Sequence, residues 1–345
     1  MPAIPCPASN TSSSIAVSTS VGFRHLQVEE YMEAVRELRP AIAISIADII
    51  TAETASVKRI EKCADRSHAW LRDMLGPQED DAIRSSAIFA SIPPIEKEQQ
   101  SFYLADLSEE FKSQISGLTI YDPATVSALP KELSSLPRLC LSNISSPHAI
   151  LDSILLGVDL ITVPFVTRFS EHGIAFSFSF PGSKELSNQT LGLDLWSQDH
   201  LTDLSPLSPG CKCYTCTRHH RAYLHHLLQA KEMLAWSLIQ VHNFSVMDGF
   251  FEDVRASIAR DSFEEDVKIF THAYNALMPE KAGEGPRVRG YQMKSVGRGE
   301  PKKNPKAYGR LDDAMQRLAE SESGVATPTG DAADLVDHGF AERTD

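Results

Sequence analysis

The sequence contains no apolar run approaching the roughly 20 residues that a membrane-crossing helix needs. It is also short of positive charge: 33 Lys and Arg stand against 46 Asp and Glu, for a net charge of −13. Phosphate repels so acidic a chain at long range, which argues against unaided, charge-driven binding to nucleic acid. Any RNA contact must then be local or shared with a partner. The start, "MPAIPCPASNTSSSIAVSTS", lacks the basic residues and continuous apolar core of a secretory signal and is too poor in arginine for a mitochondrial presequence. Residues 1–21 are expected to be a flexible leader of a soluble protein. Cysteine is scarce as well, at 6 in 345 residues, and without secretion a disulfide framework is not expected.

Half of that cysteine falls in one turn. "SPGCKCYTCTRHHRAYLHHLL" carries Cys211, Cys213 and Cys216 in Cys-x-Cys-x2-Cys spacing. Thiolates so close converge on one point when the backbone turns, which suits a tetrahedral soft-ligand metal such as zinc. A redox Cys-x-x-Cys pair leaves Cys211 unexplained. The fourth ligand must come from His219, His220, His225, His226 or His242. Tyr223, Leu227, Leu228, Met233, Leu234, Leu238 and Ile239 give Arg221–Gln240 the spacing of a helix. A histidine returning from its far end would close the site through His242, with His225 or His226 as the runner-up. Three sulfurs and a nitrogen leave no open position, so such a metal is structural.

Upstream, short apolar runs alternate with amphipathic stretches. "AIAISIAD", "SAIFASI", "SGLTIYD", "PRLCLSN" and "VDLITVPF" read as strands, and "VKRIEKCADRSHAWLRDML", "FYLADLSEEFKSQI", "PATVSALPKEL" and "SPHAILDSILLG" as the helices between them. Five strands and four helices in strict alternation predict an α/β protein with a parallel sheet, open or barrel-shaped. The runs are continuously apolar, as strands covered on both faces require. In a (β/α)8 barrel the working residues sit where strands end, here near Asp48, Ile92, Asp122, Asn143 and Thr162. Farther on, "GIAFSFSF" alternates like a half-exposed strand, and "FFEDVRASIARDSFEEDVKIFTHAYNAL" reads as a second helical pair. Arg287 to Arg310 is Gly/Pro-rich and basic, either a solvated tail or a phosphate-contacting arm.

The cysteine spacing, "RHHRAYLHHLLQAKEMLAWSLIQVHN" and "LGVDLITVPFVTR" resemble the tRNA-guanine transglycosylases. "PPIEKEQQSFYLADL" and the basic segment resemble the eukaryotic accessory branch of that family. The resemblance covers about Gly22 to Arg310. It implies a partial (β/α)8 TIM-type barrel with an inserted zinc-binding subdomain and C-terminal helices, and one structural Zn2+ on Cys211, Cys213, Cys216 and His242. The implied organisation is a leader over 1–21, barrel units over 22–180, the zinc subdomain and closing helices over 181–280, the basic segment over 281–310 and a mostly disordered tail over 311–345.

The same resemblance implies that catalysis is lost. Active members use an aspartate nucleophile in the strand aligned with Leu160 to Phe165, where this sequence has Thr162. Asp159 lies three positions earlier and cannot substitute. The Gln-Gly-Gly stretch that seats the base aligns with Ile92-Pro93-Pro94, the paired glycines with Ser116-Gly117 and a further glycine with Asn143, while Asp48 matches an aspartate that touches the base. The early strands, with a second catalytic aspartate, are missing, leaving a truncated gene model or a variant form as alternatives. The implied role is a non-catalytic subunit paired as a heterodimer with a catalytic queuine tRNA-ribosyltransferase subunit, reaching tRNA through the complex during queuosine modification. The implied location is cytoplasmic, peripheral to the mitochondrial outer membrane, with no transmembrane segment. A zinc-stabilised RNA-binding module without that partner, or an active base-exchange enzyme, are the other functional classes.

Overall fold

Strand-forming runs bounded by amphipathic helices fold largely as their periodicity predicts. The computed structural model describes residues 9–19, 22–50, 55–76, 86–280 and 282–286. The basic stretch Arg287–Arg310 and the tail beyond it lie outside these, as do residues 1–8. The chain opens with β1 (Ser14–Thr19), β2 (Gly22–Gln27) and α1 (Val28–Leu38). β1 and β2 pair antiparallel from Ser14↔Gln27 to Thr19↔Gly22. Trp70 Nε1 donates to Ser12 O at 2.7 Å, and Asn10 Nδ2 to Asp48 Oδ1 at 2.7 Å. Within the expected leader, residues 10–19 are hydrogen-bonded to the rest of the protein rather than free of it, while residues 1–8, 20 and 21 lie outside the described residues.

The β/α series follows: β3 (Ile42–Ile44), α2 (Val57–Leu75), β4 (Ala87–Ile92), α3 (Ser101–Glu109), β5 (Gly117–Ile120), β6 (Arg138–Cys140), α4 (Pro147–Leu155) and β7 (Leu160–Ile161). The five strands form one sheet in the order β3-β4-β5-β6-β7, each neighbour parallel. The order never reverses, so the sheet winds as a barrel does and has no switch point of the doubly wound kind. β5 is buried along its whole length, which its uninterrupted apolar run requires. Gly117 opens it beneath Phe89 of β4, where a Cβ would lie 2.4 Å from the ring. Ser116 and Gly117, which the resemblance aligns with the paired glycines of active members, thus sit at the N-terminal end of β5, away from the face formed by the strands' C-terminal ends.

One of the four predicted helices is absent. "PATVSALPKEL" forms two 3₁₀ turns, Pro123–Ala128 and Lys131–Leu133. Pro130 lacks an N–H and its ring would clash with a preceding helical turn, so the segment cannot run as one α-helix. α2 matches its predicted span, and its inward face is Cys63, Ala64, Ser67, Trp70, Leu71 and Met74, whereas Val57 is exposed. Fully burying a side chain such as Leu71 stabilises the fold by roughly 1.5–3 kcal/mol.

The chain then continues through α5 (Phe165–Glu171), β8 (Ile174–Phe176), β9 (Gly192–Asp194), α6 (Tyr214–Arg218), α7 (Arg221–Gln229), α8 (Met233–Ala259) and α9 (Phe263–Ala273). β8 and β9 pair antiparallel on opposite sides of the boundary expected at 180/181. The single helix predicted over Arg221–Gln240 is two, broken where Lys231 adopts a left-handed φ of 56°. α8 is continuous for 27 residues and absorbs the first member of the predicted second pair. Phe165, Phe176, Phe178, Phe250, Phe270 and Tyr274 form the core between α5, β8, α8 and α9. A separate apolar cluster of Leu207, Leu224, Leu228, Ala235, Trp236 and Ile239 supports the cysteine turn.

Candidate metal centre

The cysteine turn is built from local hydrogen bonds before any distant residue joins it. Gly210 takes a left-handed φ of 77°, which glycine adopts at no steric cost, and Cys211 N then donates to Ser208 O at 3.2 Å. Cys213 caps α6, its sulfur accepting from Cys216 N at 3.3 Å. The buried Thr215 hydroxyl donates to Leu238 O at 2.7 Å, tying the turn to α8 one helical turn before His242.

His242 is fully buried inside α8, and its Nδ1 lies 3.7, 3.6 and 3.4 Å from the sulfurs of Cys211, Cys213 and Cys216. All four ligand atoms fall within 4.8 Å of one another. The other ring nitrogen, Nε2, is 2.8 Å from Phe176 O. A carbonyl can only accept, so Nε2 carries the hydrogen and Nδ1 turns a bare lone pair toward the sulfurs. Burial holds the His242 pKa below 6.5, which favours this neutral ring. Burial pushes the Cys216 thiol up to about 12 and raises that of Cys213. A divalent cation among the sulfurs reverses that preference, because its charge stabilises thiolate directly. The set could hold a metal, and with four donors it would leave no position open for substrate.

None of the other candidate histidines joins the cluster among the described residues. The buried His225 donates from Nδ1 to Leu195 O at 2.9 Å. His220 caps α7, its Nδ1 accepting from Tyr223 N at 3.1 Å, and His219 stacks on Tyr223 with ring centroids 5.1 Å apart. His226 is exposed.

The strand-end face is occupied differently. Asp48 has no exposed surface: Arg59 donates to its two oxygens at 2.9 and 2.6 Å, Arg66 at 2.9 Å and Asn10 at 2.7 Å. Thr162, just past β7, is exposed, and its hydroxyl reaches Cys140 O at 3.4 Å. Asp159 lies at the opposite end of β7, accepting from Arg138 N at 2.8 Å. Between Asp48 and Thr162 the face carries hydroxyls, with Ser91 Oγ donating to Ser45 O at 2.6 Å and standing 3.2 Å from Tyr121 OH. Sequence reasoning missed the two arginines, although their seven-residue spacing puts them on one face of α2, the only signal available. It also missed Phe176, which acts through its backbone and leaves no signal.

The pattern of the family described as queuine tRNA-ribosyltransferase matches residues 4–276. The queuine tRNA-ribosyltransferase accessory subunit 2 of Schizosaccharomyces pombe is 34% identical over 339 residues, spanning 96% of this chain and 75% of that protein. The accessory subunit 2 of Homo sapiens is 29% identical over 310 residues, spanning 76% and 74% respectively. A queuine tRNA-ribosyltransferase of Dehalococcoides mccartyi is 28% identical over 253 residues, spanning 70% and 60%.

Proposed function

Because the chain belongs to the queuine tRNA-ribosyltransferase family, we propose that it is a non-catalytic accessory subunit. It pairs as a heterodimer with a catalytic queuine tRNA-ribosyltransferase subunit, which exchanges guanine for queuine in tRNA. The accessory-subunit names of the fission yeast and human relatives carry this reading, and the resemblance that aligns Thr162 with the nucleophile supports it. Thr162 offers an unactivated hydroxyl, a weak nucleophile whose alkoxide would be a worse leaving group than a carboxylate in a second displacement. Asp48, the remaining strand-end carboxylate with a counterpart in the active pattern, is committed to Arg59, Arg66 and Asn10.

Cys211, Cys213, Cys216 and His242 hold one structural Zn2+. Bonds of about 2.3 Å to sulfur and about 2.0 to 2.1 Å to nitrogen at tetrahedral angles put each sulfur about 3.6 Å from the nitrogen. The distances from Nδ1 to the three sulfurs, 3.4 to 3.7 Å, fit that figure. The surface used for pairing includes this subdomain and Arg221–Gln240, where Tyr214, Met233 and Leu234 are exposed. tRNA is met through the complex, with Arg287–Arg310 contacting phosphate. The site of action is the cytoplasm, peripheral to the mitochondrial outer membrane; among the described residues no helix is long and apolar enough to cross one.

Co-expression with a catalytic subunit followed by size-exclusion chromatography tests the pairing. One co-eluting species at micromolar concentration is expected, and two independent monomers would refute the role.

A further inference from the structure

We infer that Asn243 is a positioning residue for the metal centre, acting through the Phe176 backbone on the tautomer and orientation of His242. The inference rests on the proposal that the Cys3His set holds a metal. Asn243 follows His242 in α8 and, like it, has no exposed surface. Its side chain makes three hydrogen bonds, all to the segment that carries Phe176. Oδ1 accepts from Phe176 N at 2.8 Å, and Nδ2 donates to Ile174 O at 2.9 Å and to Ser170 Oγ at 3.0 Å. Phe176 O, on the same residue that Asn243 holds by its N–H, accepts from His242 Nε2 at 2.8 Å and from Ser208 Oγ at 3.2 Å.

Adjacent residues of one helix therefore grip both sides of one peptide segment. Asn243 sets where β8 lies against α8, and β8 in turn presents the carbonyl that keeps hydrogen on Nε2 and the Nδ1 lone pair on the sulfurs. The Phe176 carbonyl is the partner one hydrogen bond beyond a ligand, a kind that typically governs 10- to 100-fold of affinity, and Asn243 acts on it from one hydrogen bond farther out. Without the amide, the buried Phe176 N–H loses its acceptor and β8 is free to shift, so His242 is no longer held in the ligating tautomer.

The test uses the full chain with Zn2+ and with Co2+ as a spectroscopic probe, comparing wild type, Asn243→Ala and Met247→Ala. Met247 is a buried apolar residue one turn farther along α8 that makes no polar contact with β8. Asn243→Ala is expected to weaken Zn2+ at least tenfold in chelator competition and to alter the Co2+ absorption bands, which report coordination geometry. Met247→Ala is expected to lower the melting temperature and leave both unchanged. Equal loss of affinity in the two variants, or an Asn243→Ala protein with wild-type affinity and spectrum, overturns the inference. A wild-type chain that binds neither ion overturns the metal assignment beneath it. Hydrogen exchange in the wild type supplies a check that needs no variant. Chelation should speed exchange of the Phe176 amide at least tenfold while leaving the Leu118 amide, bonded to Pro137 O in the sheet, protected; unchanged Phe176 protection counts against the coupling.

Discussion

Asn10 and Asp48 are 38 residues apart in sequence and joined side chain to side chain at 2.7 Å, with Arg59 and Arg66 closing the remaining approaches to the same carboxylate. A buried acid facing two guanidinium groups is most costly to remove, because the two cations are then left facing each other without a counter-charge. Asp48→Ala is expected to destabilise the chain by about 3 kcal/mol. Asn10→Ala should cost about 1 kcal/mol, the size of one net hydrogen bond. Denaturant unfolding of both variants measures the difference, and equal effects would show that the arginines do not depend on Asp48.

In the proposed zinc site, replacing Cys211 by serine removes one of four donors, and the binding energy of such a site is also folding energy. The variant is expected to lose its zinc by elemental analysis and to melt earlier. Full zinc content with an unchanged melting temperature would contradict the ligand assignment.

Acid should destabilise the fold. Burial lowers the pKa of His242 and of His148 below the ordinary 6.5, so the unfolded chain binds more protons than the folded chain between the depressed values and 6.5. Stability is then complete above pH 6.5 and falls as pH drops below it. Loss of metal as protons compete for the same ligands acts in the same direction. Melting temperatures from pH 8 to pH 5 with and without chelator separate the two; in the chelated protein a flat profile would exclude the histidine contribution.

The isolated chain is expected to incorporate no labelled guanine into substrate tRNA, and Thr162→Asp alone should not restore exchange. A carboxylate placed there would still face a strand-end surface where Asp48 is held by Arg59 and Arg66. Covalent tRNA adducts on the unmodified chain would overturn the non-catalytic role.

Changing Lys302, Lys303 and Lys306 to Glu should weaken tRNA binding by the proposed heterodimer and reduce its salt slope by about 3, because each phosphate that a lysine no longer neutralises keeps its own counterion. Subunit pairing should be unaffected. An unchanged slope would place the phosphate-binding residues elsewhere.

The parts of this fold visible in the sequence are those where one residue type has one local meaning. Continuous apolar runs marked all five sheet strands, and the cysteine spacing with His242 marked the four converging donors, because both depend on periodicity and chemistry carried by side chains. Three features were hidden for definite reasons. Pro130 broke a helix whose apolar spacing looked intact. Lys231 made a left-handed break without the glycine that usually announces one. The β1 strand looked like a leader because, among the described residues, it belongs to a two-stranded sheet with its neighbour β2, for which no long apolar run was required.

Helix α8 reaches about 40 Å at 1.5 Å per residue, and its two ends serve different masters. Its first half supplies Ala235, Trp236, Ile239 and His242 to the cysteine turn, and its second half supplies Phe250 and Val254 to the aromatic core beside β8. The appendage is therefore not a detachable module. Cutting it out as a fragment would sever a shared beam and strip the core of Phe250, while an insertion near Gly249 would put the two halves out of phase by about 100° per added residue. A partner that grasps the cysteine turn takes hold of the whole body at once, with no hinge in between to absorb a change of angle.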